Sequence, residues 1–326
     1  MHDNVTAKIT NYSFRSCDDV QTPIHAVKWE PDDGNVVATI QIVHGMEEYI
    51  ERYSEFATFL TKKGFAVFGH DHIGHGYSVE RAEDRGIMHC KHPDRVMVRD
   101  MFTHFGLIRK EYPDKPCFIL GHSMGSYLLR RLLSERADEL SELNGAIIMG
   151  TGCEDDFSLV FGKIILACLI VLKGPDHRSS VMPKMMFKDD YRQFDLTGEH
   201  PENSWLSHNV ENVKRFQDKT DPRNNCVFSL NGYRILLDAT WFSNRMKNIR
   251  KMNRDIPVIF VSGDHDPVGQ MGEGVKKSYE KFRAADISDL SIRLYEGDRH
   301  EILNETDRGR VYEDLYEWMK ERFDRR

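Results

Sequence analysis

The chain has 326 residues, enough for one large α/β domain or two ordinary ones and for a sizeable buried core. Its composition, 40% hydrophobic and 30% charged, excludes a disordered chain, and a net charge of −7 with the two signs interspersed leaves no basic footprint for nucleic acid. Six scattered cysteines with no C-x-x-C pair argue against a zinc ribbon or a disulfide framework and suit a reducing compartment. The first twenty residues contain no apolar signal segment, so a cytoplasmic location is expected.

In chain order, "KITNYSFRS", "PIHAVKWE" and "NVVATIQIV" read as three early strands, punctuated by Pro23 and by "PDDG" at 31–34. The segment "YIERYSEFATFLTKKG" then places Tyr49, Tyr53, Phe56, Phe59 and Leu60 at helical spacing and stops at Gly64, a residue suited to a helix C-terminus. "FAVFGH" has the continuous apolar character of a buried strand. "DRVMVRDMFTHFGLIRKEY" is an amphipathic helix ending before Pro113, "PCFIL" is a strand, 124–140 a helix, and "LNGAIIMG" the strand after it. Near the C-terminus, "IPVIFVSG", a helix over 271–285, "DLSIRLYE" and a helix from 307 continue the alternation. Strands separated by crossover helices predict a mostly parallel sheet covered on both faces, with an antiparallel edge made by the first strands.

The alternation breaks between 153 and 235. The apolar stretch 159–172 is 14 residues long, short of the ~20 needed to cross a bilayer. It reads as a buried helix, or as a lid helix whose apolar face lines a substrate pocket or touches a lipid surface. The organisation expected is a core of residues 1–152 and 236–326 with an inserted cap at 153–235.

The most informative stretch is "PCFILGHSMGSYLLRRLL", in which Ser123 lies between Gly121 and Gly125, directly after a strand and before a helix. Gly-x-Ser-x-Gly in that setting is a nucleophile elbow: a sharp turn lifts the serine hydroxyl above the sheet, and the glycines avoid clashes with neighbouring backbone. Two later strand ends supply partners in the order serine, acid, histidine. "VIFVSGDHDPVG" carries Asp264 and Asp266, and "LYEGDRHEIL" carries His300. A histidine there can take the serine proton while a carboxylate fixes its tautomer and stabilises its cation. Asp266, three residues beyond Gly263, leads as the acid, and Asp264 is the alternative. Acyl transfer also needs oxyanion donors; position alone nominates the backbone N–H groups of Met124, after the serine, and of Met46, after the strand ending in His44-Gly45.

At this point "IVHGMEEYIERY", "DHIGHGYS", "GHSMGS" and "SGDHDPVG…YEGDRHEILNE" resemble the α/β-hydrolase serine esterases of the monoacylglycerol lipase and lysophospholipase group. The resemblance spans nearly the whole chain, the insertion least. It implies the fold described above, no metal or organic cofactor, Ser123 as nucleophile, Asp266 as acid, His300 as base, and Met46 and Met124 as oxyanion donors. It also matches Glu48 and Arg52 to the family's polar pocket end, where substrate hydroxyls bind; the competing reading is an i,i+4 salt bridge. The chain departs from the family at Ile73, where an arginine is usual, and at Leu303, where the glyceride lipases carry a second histidine.

The sequence also offers rivals. His70-x-His72-x-x-His75 has the outline of a zinc-binding loop, which would make a metal-activated water the nucleophile. The same serine site can serve an acyltransferase or an amidase or peptidase, and a binding protein with a dead site is a further alternative. The expected activity is nonetheless hydrolysis of a carboxylic ester through an acyl-enzyme. Its substrate would be a small-molecule ester with an acyl chain, of monoacylglycerol or lysophospholipid type, held by the apolar face of 159–172, with peripheral membrane contact through the cap.

Overall fold

The computed structural model describes residues 7–187, Tyr191, Gln193, Phe194 and 201–323. Its frame is an eight-stranded sheet: β1 (Ala7–Arg15), β2 (Pro23–Pro31), β3 (Ala38–Val43), β4 (Phe65–His70), β5 (Cys117–His122), β6 (Gly145–Met149), β7 (Val258–Gly263) and β8 (Leu290–Tyr295). The spatial order is β1-β2-β4-β3-β5-β6-β7-β8. β1 and β2 pair antiparallel at one edge and every pair from β4 to β8 is parallel, as the alternation of strands and helices requires. β3 to β7 are buried at every position, which explains their unbroken apolar runs, whereas edge strand β1 alternates.

Helices cover both faces. On one, α1 (Ser54–Lys62) and α10 (Arg308–Lys320) supply Phe56, Leu60, Leu315 and Trp318 to a core with Ile40, Leu120 and Ile147. On the other, α2 (Pro93–Glu111), α3 (Met124–Glu135) and α9 (Glu273–Arg283) pack Met101, Leu128 and Phe282 against Ile119, Ile148 and Phe260. The expected helix over 49–64 divides into a 3-10 turn, Ile50–Tyr53, and α1; the expected 124–140 helix stops at Glu135. There Leu140 is fully buried by a turn closed on the Arg136 carbonyl, so burial of one leucine overrides local helix preference.

The long connection between β6 and β7 holds α4 (Asp156–Lys173), α5 (Val181–Met186), α6 (Val210–Gln217), α7 (Leu230–Ser243) and α8 (Met246–Ile249). Position 235, expected to end the insertion, lies inside α7, which runs on unbroken and packs against both α3 and α4. The apolar stretch 159–172 falls within α4. Only Leu159, Gly162 and Leu166 are buried, while Phe157, Val160, Phe161, Ile164, Val171 and Leu172 are exposed. No helix among the described residues is long and apolar enough to cross a membrane.

Candidate functional site

The parallel register brings the carboxyl ends of β3, β5, β6, β7 and β8 to one edge, where the expected site residues converge. Ser123 leaves β5 with φ 51 and ψ −119, a left-handed conformation that costs a non-glycine residue about 1–3 kcal/mol. Its N–H is tied to the Met149 carbonyl of β6 at 2.9 Å. The flanking glycines are required by close approach: a Cβ on Gly121 would meet the Gly125 carbonyl at 2.5 Å, and one on Gly125 would meet the Val43 carbonyl at 2.3 Å. The elbow expected from spacing is therefore built as expected.

The imidazole of His300 sits on the loop after β8 with Nδ1 3.0 Å from each oxygen of Asp266, which follows β7. The two loops touch because Gly263 lacks a side chain; a Cβ there would lie 2.0 Å from the Asp298 carbonyl. Asp266 is fully buried and also accepts from Ser262 Oγ at 2.8 Å and Val268 N–H at 2.9 Å. Burial pushes its carboxyl pKa up, but the adjacent imidazole and these hydrogen bonds outweigh burial and hold it below the usual range. With Asp266 an acceptor, Nδ1 of His300 is the protonated nitrogen, leaving Nε2 free to act as a base. Asp264 does something different: its carboxylate accepts from Gly297 N–H at 2.7 Å and shapes the turn after β8.

Ser123 and His300 line one cavity of about 720 Å³, together with Met46, Glu48 and His122. Its far wall is apolar, made by Leu159 of α4, Met182 and Met186 of α5, and Tyr233 and Leu237 of α7. Among the described residues, neither the Met46 nor the Met124 N–H has a hydrogen-bond acceptor in the protein.

Residues 34–307 match the family described as serine aminopeptidase, S33. The chain belongs to that family. It is 26% identical to the monoglyceride lipase of Mus musculus over 278 residues, 85% of this chain and 79% of that one. A stretch of 108 residues, a third of each chain, is 39% identical to the monoglyceride lipase of Homo sapiens. Among solved structures, a thermostable carboxyl esterase from Bacillus coagulans in complex with glycerol superposes with a TM-score of 0.85 at 25% identity, over 97% of this chain and 99% of that one. A soluble variant of monoglyceride lipase from Saccharomyces cerevisiae, in complex with a substrate analogue, shares the fold with a TM-score of 0.73 at 19% identity, over 99% and 98%. The protein is thus an S33-family α/β hydrolase and a carboxylic ester hydrolase, similar to the monoglyceride lipases, as its motifs led us to expect.

Around the cavity of this S33 hydrolase runs a buried polar network, only part of which is visible in sequence. Glu48 and Arg52 form the i,i+4 salt bridge of the competing reading, at 3.4 Å. Glu48 faces the cavity; Arg52 lies behind it and is not part of the lining. Arg52 is held chiefly by Glu301, at 2.6 Å, and Glu301 also accepts from Asn212 of α6. Glu48 receives the Gly45 N–H, the Tyr53 hydroxyl at 2.9 Å and the His122 Nδ1 at 3.0 Å. His122 Nε2 reaches the His300 carbonyl at 3.3 Å. With a carboxylate on one ring nitrogen and a carbonyl on the other, His122 is a double donor. Burial lowers its pKa, but Glu48 outweighs burial and raises it.

The sequence reading missed Glu301, His122 and Trp205. The Trp205 ring lies 5.2 Å from that of His300, and the Trp205 and Leu206 carbonyls accept the His300 and Glu301 N–H groups at 3.5 and 2.7 Å. His122 and Glu301 adjoin motif residues, a signal that was available; Trp205 lies in a turn-rich stretch with none. Leu303, at the position of the family's second histidine, is buried in the core under α10, and Ile73 is buried on the opposite face.

The zinc alternative requires correction. His70, His72 and His75 are buried, but their nitrogens do not gather within ligand distance of one another. His75 Nδ1 bonds the Ile73 carbonyl at 3.1 Å and His70 Nδ1 meets His104 at 2.9 Å, whereas neither ring nitrogen of His72 has a partner among the described residues. Among the described residues, the grouping whose ligand atoms do converge is His25, Glu51 and Asp71. There both Asp71 oxygens accept backbone N–H groups, from Ile50 and Tyr77, and Arg223 stands 3.6 Å from Glu51.

Proposed function

We propose that the chain hydrolyses a monoacylglycerol-type ester through an acyl-enzyme on Ser123. The observation that carries this reading is the joint placement of a strained Ser123 and an Asp266-bound His300 on one cavity with an apolar far wall. His300 Nε2 removes the Ser123 proton as Oγ attacks the ester carbonyl. The N–H groups of Met46 and Met124 receive the negative charge that develops on the carbonyl oxygen. His300 returns the proton to the leaving alcohol, then activates water to release the acid. Asp266 keeps Nδ1 protonated and stabilises the imidazolium.

The acyl chain lies against Leu159, Met182 and Leu237, so the apolar stretch of α4 serves the substrate with its inner face. Residues 153–235 act as a cap over this wall, and the exposed outer face of α4 supports contact with a lipid surface. The six free cysteines fit a reducing, cytoplasmic compartment. At the polar end, Glu48 is the group within reach of a glycerol hydroxyl. The similarity to monoglyceride lipases supports the head group, and the yeast enzyme's complex with a substrate analogue supports a small-molecule ester.

Turnover of a p-nitrophenyl ester series tests the reading. Activity should rise from acetate to longer chains and vanish in Ser123→Ala. Asp266→Asn should lose on the order of 10⁴ in kcat, while Asp264→Asn should lose only a few-fold. The reverse ranking of the two aspartates reassigns the acid. Product analysis with added alcohol or amine separates hydrolysis from acyl transfer.

A further inference from the structure

Glu47 stands between the Met46 N–H offered to the oxyanion and Glu48, and it is not a neutral spacer. It has φ 59, a left-handed conformation that favours glycine and is unusual for a residue with a side chain. Glu47 is one of the residues that line the cavity. Among the described residues its one hydrogen bond comes from the Phe228 N–H, at 3.0 Å, and it has no ion pair.

Among the described lining residues, two other carboxylates are charge-paired. Glu48 and Glu301 share Arg52, and Glu48 also holds His122, so their charges are locally offset. Glu154 accepts from Gln270 at 3.1 Å. Among the described residues, Lys184 is the one lysine in the lining. An uncompensated charge in a low-dielectric cavity acts across it, wherever in the cavity the head group sits.

We propose that Glu47 is a specificity-determining residue that sets the head-group charge: ionised, it turns away esters carrying a phosphate or carboxylate and leaves neutral, hydroxyl-bearing esters as substrates. This rests on the ester-hydrolase site described above and narrows it. Selection of this kind depends on pH. Burial pushes the Glu47 carboxyl up to about 7, against the lowering effects of the Phe228 N–H and Lys219. Below that pH the carboxyl is neutral and the discrimination fades; above it the discrimination is complete.

The other titratable groups around Glu47 keep their places in a Glu47 variant. Cys226 and Tyr233 are pushed up by burial, away from neutrality. Lys219 Nζ donates to the Asn224 carbonyl at 2.7 Å. Glu48 is held well below the carboxylate range by His122 and Arg52, which outweigh its burial. Glu48 outweighs burial and raises the His122 pKa, and a Glu47 variant leaves that pair in place. Glu154, Lys184 and His300 also line the cavity, and a Glu47 variant leaves all three in place, so a change of the ratio in that variant reports Glu47 itself.

The test compares kcat/KM for decanoylglycerol and for decanoyl lysophosphatidylglycerol, whose phosphodiester keeps one charge throughout, both below their micelle concentrations. In the wild-type chain the neutral-to-anionic ratio should rise about tenfold or more between pH 6 and pH 8.5. In Glu47→Gln the ratio should fall about tenfold at pH 8 and lose its pH dependence. Glu47→Gly, which suits the backbone conformation, should do the same. A structural lesion changes both esters together and leaves the ratio alone. An unchanged ratio and pH curve in both variants, with hydrolysis intact, overturns the role of Glu47 alone. Absence of hydrolysis of either ester by the wild-type chain overturns the ester site and this role together.

Discussion

Two buried clusters of titratable groups lie near the same edge of the sheet, and they are built on opposite principles. In one, Glu48, Arg52, Glu301 and His122 are packed with alternating charge, every member touching a partner of opposite sign. In the other, His44, His70, His72, His75 and His104 are packed almost entirely against one another and against backbone. Burial acts on both. In the first cluster the partners win, so the Glu48 carboxyl is held below the usual range and the His122 pKa is raised. In the second, burial outweighs the opposing pull of Glu48 on His44 and His75 and lowers the pKa of every imidazole, His75 to about 4 and His104 to about 3. Burial alone therefore does not set a histidine's charge; the partner on its ring nitrogen does. The same rule separates His122, which links Glu48 to the His300 loop, from His44. There one nitrogen meets the Gly45 carbonyl and the other accepts the His72 N–H, fixing the loop that carries Met46.

The contrast can be broken most strongly at Arg52. Arg52→Met leaves Glu48 and Glu301 buried without their shared cation, and unfolding by urea should show a loss of about 3–5 kcal/mol. Adding Glu301→Gln to that variant should recover part of the loss. A loss below 1 kcal/mol in the single variant would show that the network is not held by charge.

Acid should act on the other cluster. Each of its histidines has a folded pKa below the unfolded value of about 6.5, so the unfolded chain binds more protons as pH falls. The stability they lend is present above that value and is lost as pH drops toward their folded pKa values. Each contributes up to about 1.4 kcal/mol per pH unit in that window. Tm should fall steadily from pH 7 to pH 5, and His75→Asn, where it folds, should flatten the curve. A pH-independent Tm would contradict neutral burial.

The smallest effect is expected outside both clusters, on the exposed face of α4. Phe161→Ser with Ile164→Ser should reduce binding to neutral phospholipid vesicles several-fold and leave hydrolysis of a soluble short-chain ester within two-fold. Unchanged vesicle binding would remove the lipid-surface role.

The legibility of these features followed how local they are. Ser123 and its flanking glycines were readable because an elbow demands particular residues at fixed spacing. Asp266 and His300 were readable because parallel strands deliver their ends to one edge in a known order. The choice of Asp266 over Asp264 rested on distance from the strand end, and Asp264 instead bonds the Gly297 N–H. Arg52 was read with Glu48 because i,i+4 spacing is visible; its stronger partner, Glu301, lies 249 residues away, where no spacing rule reaches. The histidine loop suggested metal because three of its members are close in sequence. His44 and His104, which fill the space among them, come from β3's end and from α2. In α4 the apolar run announced a helix with buried character, but not that most of its large apolar side chains face outward.

The central claim is that Ser123 is the nucleophile, and labelling with a fluorophosphonate followed by peptide mass spectrometry tests it most directly. We expect a single adduct on Ser123, absent in Ser123→Ala, strongly slowed in Asp266→Asn, and accompanied by loss of ester hydrolysis. An unlabelled Ser123, or an adduct on another serine while hydrolysis continues, would contradict it.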